Sequence, residues 1–242
     1  MRKRANMYRL AFLIPHFNHS GHIGELVAAL AKFGREILIV DDGSNDSHKV
    51  ALQNLNAQIL YREKNGGKGA AVKSGLKFLA QRGFTHALQI DADMQHELGN
   101  VSEFIALSER NPDALICGAP VYSQDAPKFR LYGRKITNFW VRLNTLGGDI
   151  KDAMCGFRIY PLETTCKALL KSRANRMDFD IEIFYLLFKA GVKFLWLDVG
   201  VKYDKNGVSH FMGLKDNLAI SAVHARNFLD LPAFVLKRLT RG

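Results

Sequence analysis

The sequence predicts an α/β fold in which parallel strands alternate with crossover helices. Short apolar runs suited to strands are followed by longer segments with the 3.6-residue period of a helix, and this order repeats through the first half of the chain. With 242 residues and 48% apolar content, the chain can bury one substantial core. Because no linker or repeat divides the sequence, we expect one domain.

The elements of the first half form a repeated strand–helix unit. We expect strands over residues 10–14, 36–40, 58–61 and 86–90, and helices over residues 21–33, 44–54 and 68–82, the second of them capped by Ser44. In the second half we expect strands over 114–117 and 192–197, and helices ending near 146 and spanning 162–170 and 180–190. Ligands of such sheets collect at the carboxyl ends of the strands, where residues 15–18, 41–46 and 91–96 stand.

Composition narrows the class of protein without choosing its ligand. A formal charge of +11 and a pI near 9.6 favour anionic partners, which include nucleotide diphosphates, acidic lipid headgroups and nucleic acid. The apolar stretch 10–14 is too short for a signal peptide, and no stretch approaches the roughly 18 apolar residues of a membrane span. We therefore expect a cytoplasmic protein whose cysteines, Cys117, Cys155 and Cys166, are reduced.

A pair of acids follows the predicted strand over 86–90. Asp91 and Asp93 are two residues apart, and in an extended segment such residues project to the same side. Their hard oxygen ligands suit Mg²⁺ or Mn²⁺, which can bridge the phosphates of a nucleotide diphosphate, and Gln95 and His96 can flank that shell. The pair alone is equally compatible with a turn that binds no metal.

Two further segments carry polar groups at strand ends. Asp41, Asp42 and Ser44 follow the second strand, and the segment is compatible with a helix cap or with a contact to a base and a ribose. The glycine-rich turn 65–69, with Lys68, precedes a helix and suits phosphate or nucleobase approach. It is not a P-loop, because the glycine spacing differs and Gly69 replaces the Ser or Thr after the lysine.

These motifs together resemble the family 2 glycosyltransferases. The resemblance is closest to the branch of dolichyl-phosphate or polyprenyl-phosphate sugar synthases and covers roughly residues 9–203. Five segments carry it in the family's order and approximate spacing: Pro15–x–x–Asn18, residues 41–46, residues 65–70, residues 91–96 and residues 152–158. One departure is His19, which stands where the family usually has an acid after the asparagine and leaves the identity of the base open.

The resemblance implies a GT-A fold with a Rossmann-like, mostly parallel mixed sheet and helices on both faces. It implies inverting transfer from a UDP- or GDP-sugar, with Mg²⁺ or Mn²⁺ at Asp91, Asp93 and Gln95. Residues 9–110 would form the nucleotide-binding half, 111–208 the acceptor half and 209–242 a C-terminal loop and amphipathic helix. The donor pocket would be lined by Pro15, Asn18, Asp41, Asp42, Asn65, Gly67, Lys68, Asp91 and Arg158.

The acceptor side rests on later residues. By resemblance, Arg130, Arg134 and Asp152 would contact the acceptor, although a basic solvated face is equally compatible with these arginines. Asp180 is the first candidate for a catalytic base and Glu182 is the second. Alternatively, both acids only interact favourably with the positive N-terminal end of the helix dipole. If the acceptor is a phosphate, no base is required and the acids serve for positioning.

The tail allows two interpretations. Phe228, Leu231, Val235 and Leu239 have helical spacing beside basic residues, so the segment either packs on the core or lies on an anionic membrane, and Pro232 can break it. The resemblance implies a polyprenyl-phosphate or other lipid acceptor, with peripheral contact on the cytoplasmic membrane face. The alternatives are a sugar nucleotidyltransferase and a basic nucleic-acid-binding module, and we expect no nucleic-acid partner because the cations are scattered.

Overall fold

The computed structural model describes residues 7–122, 128–202 and 213–240, with the side chains of 128–130 and 237–238 outside the description. Within these residues the chain forms seven strands: β1 (Leu10–His16), β2 (Glu36–Asp41), β3 (Gln58–Tyr61), β4 (His86–Gln89), β5 (Leu115–Tyr122), β6 (Arg158–Pro161) and β7 (Phe194–Val201). The same residues form nine helices: α1 (Ile23–Ala31), α2 (Asp46–Val50), α3 (Lys68–Gln81), α4 (Val101–Arg110), α5 (Lys128–Asn144), α6 (Leu162–Leu169), α7 (Phe179–Lys189), α8 (Gly213–Leu229) and α9 (Leu231–Leu239).

The strands form one mixed sheet in the order β3-β2-β1-β4-β6-β5-β7. Strands β3, β2, β1 and β4 are parallel neighbours, β6 runs antiparallel to β4 and β5, and β7 is parallel to β5. The carboxyl ends of β1, β2 and β4 therefore meet at one edge, and the predicted mostly parallel α/β sheet is confirmed.

Strand β1 divides the core because its side chains alternate between the two faces of the sheet. Leu13 belongs to a cluster that also holds Leu76 of α3 and Phe184 of α7, whereas Phe12 belongs to a cluster with Leu26 of α1. Both faces of the central strands are thus covered by helices, which explains the uninterrupted apolar run of β1.

Local differences from the predicted elements have identifiable causes. Helix α2 is only Asp46–Val50, and its N-cap is Asn45, because the Ser44 hydroxyl instead accepts a hydrogen bond from the Asn18 N–H. The four-residue strand β6 was not predicted, since so short a run ending at a proline has no periodicity to reveal it.

A buried polar cluster joins three helices of the second half. The Tyr185 hydroxyl of α7 lies 3.0 Å from His224 Nδ1 of α8 and accepts a hydrogen bond of 3.1 Å from Asn144 Nδ2 of α5. Burial lowers the pKa of His224 to about 4. Helix α8 therefore packs on its neighbours through a neutral imidazole.

The C-terminal helices separate at Asp230, two residues before Pro232, so the predicted break is present. Ring contact between Phe188 of α7 and Phe234 of α9, with centroids 5.8 Å apart, holds α9 against the domain. No described helix has the length and apolar content that a membrane crossing needs.

Acidification should destabilise the fold partly through His224. Its folded-state pKa lies below the unfolded value of 6.5, so the unfolded chain binds the proton more tightly, and stability falls as the pH drops from about 6.5 towards 4. The variant His224→Gln keeps a polar partner for Tyr185. Over this pH range we expect its free energy of unfolding to fall by roughly 1–2 kcal/mol less than that of the wild type. Urea unfolding at pH 7 and pH 4.5 measures the difference.

The exposed His22 supplies the control, since His22→Gln removes a histidine that is 45% exposed at the side chain. Burial also lowers the pKa of His16, His86 and His96, so part of the pH dependence remains in the His224 variant. Equal pH dependence in the wild type and both variants would contradict the assignment.

Candidate functional site

The ends of β1 and β2 are joined by a buried histidine–carboxylate pair. His16 Nδ1 lies 3.0 Å from Asp41 Oδ1, and both side chains are fully buried. Asp41 Oδ2 accepts a hydrogen bond from the Ser44 N–H, and burial lowers the pKa of His16 despite the nearby carboxylate. Asp41 therefore holds the loop after β2 on β1, and its contact with a base or ribose stays a prediction.

Asp42 fixes the glycine-rich turn before α3. Its carboxylate accepts hydrogen bonds from the Gly66 N–H at 3.1 Å and the Gly67 N–H at 2.7 Å, and it pairs with Arg62 Nε at 3.3 Å. Only 2% of its side chain is exposed. Asp42 is thus also a loop anchor, and its assignment as a donor contact stays a prediction. Burial raises its pKa above the ordinary value even though these donors lower it.

The remaining donor-pocket residues of the first half lie around these anchors. Asn18, at a positive φ of 46°, accepts a hydrogen bond at Oδ1 from the Asn45 N–H. Pro15 is half-buried at the end of β1, and Asn65 is exposed in the turn. Gly67 has a φ of +94°, and a Cβ there would lie 2.7 Å from the Asn175 carbonyl oxygen, so glycine is required.

Lys68 connects the acids that follow β4 to the acids that open α7. Its ammonium lies 2.8 Å from Asp91 Oδ1, 2.9 Å from Asp91 Oδ2 and 3.2 Å from Asp180 Oδ2. Burial alone would lower the pKa of Lys68, but the two carboxylates raise it above its ordinary value. In turn, Lys68 lowers the pKa of Asp91 against the effect of burial.

Two glycines make room for this ion-pair group. A Cβ on Gly156 would lie 2.9 Å from Lys68 Nζ and 3.1 Å from Asp91 Oδ1. A Cβ on Gly69 would overlap the Cβ of Phe179, which is the first residue of α7. The starts of α3 and α7 can approach because Gly69 carries no side chain, and Gly156 leaves room for the Lys68–Asp91 contact.

The Asp91–Ala92–Asp93 segment is held in place from the far end of the sheet. The Lys202 N–H donates to the Gln95 carbonyl, and the Glu97 N–H donates to the Gly200 carbonyl, each at 2.9 Å. The Gln95 N–H donates to Asp93 Oδ1 at 3.1 Å. Strand β7 therefore orients the segment that carries both acids.

The donor set at this place fits a hard divalent cation. Burial and the charge of Asp91 raise the pKa of Asp93, and two neighbouring carboxylates in this situation are stabilised by a cation between them. The described residues gather no group of three or more His, Cys, Asp or Glu side chains that could hold a metal ion. Mg²⁺ commonly binds one or two carboxylates and takes its other ligands from substrate phosphates and water.

The expected acceptor residues lie at α5 and the loop before β6. Arg134 donates to both oxygens of Asp152 at 3.1 and 3.2 Å, and Asp152 Oδ1 also accepts from the Met154 and Cys155 N–H groups. Asp152 is buried and orients Arg134 and its own loop, and its assignment as an acceptor contact stays a prediction. Arg130 lies in the first turns of α5, and its side chain is outside the described part.

Two further candidates are buried and make structural contacts. Arg158 is fully buried on β6 and donates to the carbonyls of Asp180 and Ala153, so it supports the start of α7, and its assignment as a donor contact stays a prediction. Glu182 Oε2 accepts from the Ser172 hydroxyl and from the Arg173 and Ala174 N–H groups at 2.7–2.8 Å. Glu182 therefore anchors the loop before α7 through Oε2, while its Oε1 lies 3.4 Å from Arg226, and a role as a base stays a prediction.

The structure thus brings Lys68, Asp91 and Asp180 together with Gly156, while Asp93 follows two residues after Asp91. Sequence reasoning missed the role of His16, whose position inside the Pro15–Asn18 motif was the available signal. It also missed the spacing role of Gly156, which lies in the quoted segment 152–158.

The comparisons with known proteins agree with this arrangement. The chain matches the profile of Glycosyl transferase family 2 over residues 11–174. It is 32% identical to a dolichyl-phosphate beta-glucosyltransferase of Dictyostelium discoideum over 66% of this chain and 53% of that protein. It is 26% identical to the human dolichyl-phosphate beta-glucosyltransferase over 74% of this chain and 62% of that protein. The chain therefore spans little more than half the length of these relatives.

Solved structures share the fold at low sequence identity. Mannosyl-3-phosphoglycerate synthase from Rubrobacter xylanophilus superposes with a TM-score of 0.65 at 15% identity, covering 91% of this chain and 72% of that one. S. aureus TarS 1-349 in complex with UDP-GlcNAc superposes with a TM-score of 0.60 at 16% identity, covering 92% of this chain and 67% of that one. These neighbours are GT-A glycosyltransferases and show the shared fold. The profile match over residues 11–174 shows that the chain belongs to glycosyl transferase family 2.

Proposed function

We propose that this glycosyltransferase moves a sugar, with inversion, from a nucleoside-diphosphate sugar to a polyprenyl-type phosphate at a lipid surface. The observation that carries the proposal is the Lys68 ammonium, which joins Asp91 at the end of β4 to Asp180 at the start of α7. This contact places the Lys68 ammonium next to Asp91, and Asp93 follows two residues later at the same edge of the sheet. A diphosphate needs both kinds of group, because Asp91 and Asp93 can hold a divalent cation and the lysine can contact the diphosphate oxygens.

The donor nucleotide would lie across the ends of β1 and β2. The exposed Asn65 and the half-buried Pro15 and Asn18 border that edge, and the buried acids Asp41 and Asp42 hold its loops in shape. Support comes from the TarS neighbour, which was solved with UDP-GlcNAc. Whether the base is uracil or guanine is answered by a thermal-shift panel of UDP, GDP and their sugars, since a ligand of the folded state raises the melting temperature.

The Asp91 and Asp93 carboxylates would hold Mg²⁺ or Mn²⁺, with Gln95 at its flank. Bound there, the cation would neutralise the charge that develops on the departing diphosphate. Lys68 would contact the same diphosphate from the start of α3, and Gly156 leaves the space that this approach requires.

Transfer to an acceptor phosphate needs no general base. A phosphate oxygen is already anionic, so its lone pair can form the bond to the anomeric carbon while the bond from that carbon to the diphosphate oxygen breaks and its electrons leave with the nucleotide. Attack opposite the leaving group inverts the anomeric centre. Asp180 then orients Lys68 and takes no proton. The Dictyostelium and human relatives, named dolichyl-phosphate beta-glucosyltransferases, support a lipid phosphate as acceptor.

A stripe of exposed apolar residues on α5 supports contact with a membrane. Trp140 joins the stripe to Phe228 of α8, with ring centroids 6.2 Å apart. The stripe lies beside the exposed cations Lys135 and Arg142, and the chain carries a net charge of +11, so an anionic bilayer is the surface that it fits. Four side chains at helical spacing form it, each at least 40% exposed: Tyr132, Ile136, Phe139 and Leu143.

The tail supports the same orientation. Leu229, Leu236 and Leu239 are between 65% and 77% exposed on α8 and α9. Residues 209–212, at the start of the expected C-terminal loop, lie outside the described residues.

Asp93→Asn should abolish most of the transfer activity while leaving the fold intact. Removing one of two carboxylates weakens the binding of the divalent cation, and a cation at the leaving group is worth several kcal/mol, so we expect kcat to fall on the order of a hundredfold. The assay measures sugar transfer from the donor identified by thermal shift to a short polyprenyl phosphate with Mn²⁺. Glu97→Gln is the control, because Glu97 is exposed and pairs only with Lys202 among the described ion pairs. Equal loss in both variants would contradict the metal assignment.

The two acids at the start of α7 should behave oppositely. Asp180→Asn should lower kcat at least about tenfold with little change in stability, because it frees Lys68 from one partner. Glu182→Gln should keep kcat but lower stability by roughly 1–3 kcal/mol, because one oxygen accepts three hydrogen bonds. Kinetics and urea unfolding of both variants measure the two effects separately. Loss of activity with retained stability in Glu182→Gln would contradict the structural role of Glu182 and support its role as a base.

Substituting the α5 stripe should weaken membrane binding. The double variant Ile136→Ser/Phe139→Ser should bind vesicles of phosphatidylcholine and phosphatidylglycerol roughly tenfold to a hundredfold less, since the two partly inserted side chains together lose about 1.4–2.8 kcal/mol of burial. Vesicle co-sedimentation measures the partition. Leu170→Ser is the matched control, because Leu170 is 83% exposed at the end of α6. If the double variant binds as the wild type does, α5 does not face the bilayer.

A further inference from the structure

The cation next to Asp91 in the structure is the side chain of Lys68. Its Nζ lies 2.8 and 2.9 Å from the two oxygens of Asp91, so one ammonium contacts the whole carboxylate. The Lys68 side chain is 17% exposed and that of Asp91 is 23% exposed, so water screens the pair only partly. Lys68 therefore stands where a second cation on Asp91 would have to bind.

A divalent cation and this ammonium repel each other when both lie on Asp91 in that position. Mg²⁺ binds a carboxylate oxygen at about 2.0–2.1 Å, so an ammonium on the same carboxylate would be within a few ångströms of it. In a half-buried place, like charges at such a separation repel each other strongly. Binding of the divalent cation therefore weakens the hold of Asp91 on the ammonium, and the ammonium weakens the binding of the divalent cation.

Lys68 has a second carboxylate to which it can move. Asp180 Oδ2 is already 3.2 Å from Nζ, and Asp180 Oδ1 is buried without a hydrogen-bond partner among the described residues. Gly156 has no side chain that would obstruct the movement. A shift of the ammonium from Asp91 to Asp180 would satisfy the free oxygen and keep each acid next to a cation.

We infer that Lys68 and the divalent cation compete for Asp91, and that Lys68 transfers to Asp180 when the cation binds. The inference rests on the proposed metal role of Asp91 and Asp93 and assigns Lys68 as a positioning residue that regulates this site. Before the divalent cation binds, the Lys68 ammonium offsets the negative charge of Asp91. After the divalent cation has bound, Lys68 contacts Asp180 and is free to contact the donor diphosphate.

The competition gives Lys68→Met an effect that a simple donor contact would not have. If Lys68 only touched the donor, its removal would leave cation binding unchanged, and if it only oriented Asp91, its removal would weaken cation binding. Competition predicts the opposite: Lys68→Met should bind Mn²⁺ roughly tenfold more tightly than the wild type in the absence of any nucleotide. Electron paramagnetic resonance of free Mn²⁺ measures the dissociation constant directly.

Lys77→Met is the matched control, because Lys77 is exposed on the same helix and its loss changes the net charge equally. It should bind Mn²⁺ as the wild type does. Lys68→Arg, which keeps a cation on Asp91, should also keep the weaker wild-type affinity. Unchanged or weaker Mn²⁺ binding in Lys68→Met would overturn the exchange.

A second measurement does not depend on the folding of Lys68→Met. The ¹⁵N resonance of the Lys68 ammonium, identified by its loss in Lys68→Arg, should shift as Mg²⁺ saturates the wild-type protein. A resonance that stays in place while Mg²⁺ binds would overturn the inference. If both the wild type and Lys68→Met bind Mn²⁺ with equal affinity, the exchange fails and the metal role stands. If neither binds Mn²⁺, the metal role fails and the exchange fails with it.

Discussion

The ammonium of Lys68 lies between two carboxylates that are 89 residues apart in the chain, Asp91 and Asp180. For this contact to exist, α3 and α7 must begin side by side at the edge of the sheet. The Ala70 N–H donates to the Asn175 carbonyl at 2.9 Å, and Gly69 leaves room for Phe179. Close backbone packing therefore positions the charges, because a long side chain alone would not hold three ionised groups in one arrangement.

The other acids of the motifs stabilise the loops that border the site. Asp42, Asp152 and Glu182 each accept hydrogen bonds from two backbone N–H groups of a loop next to the site. A buried carboxylate is costly unless charged or polar donors surround it, and loop N–H groups need acceptors when they are buried. The two requirements satisfy each other, so these acids determine the shape of the loops that border the Lys68 group.

The second half of the chain combines a well-packed interior with an apolar exterior. Helices α5, α7 and α8 meet through Asn144, Tyr185 and His224, whereas the outer face of α5 exposes large apolar side chains. An ordinary surface helix would bury such a stripe. In the proposed function, the stripe and the neighbouring cations lie at the boundary between water and lipid, where a polyprenyl phosphate would present its headgroup.

The sequence by itself determined the parallel half of the sheet and the kind of chemistry, because strand alternation, helix period and the acids after β4 are local signals. It also identified Lys68, Asp91 and Asp180 one at a time. Only the tertiary structure decided that these three touch, that Asp41, Asp42, Asp152, Arg158 and Glu182 are buried supports, and that β6 inserts between β4 and β5. The reason is that burial and pairing depend on residues distant in the chain, so an acid that faces a ligand and an acid that holds a loop look alike in the sequence.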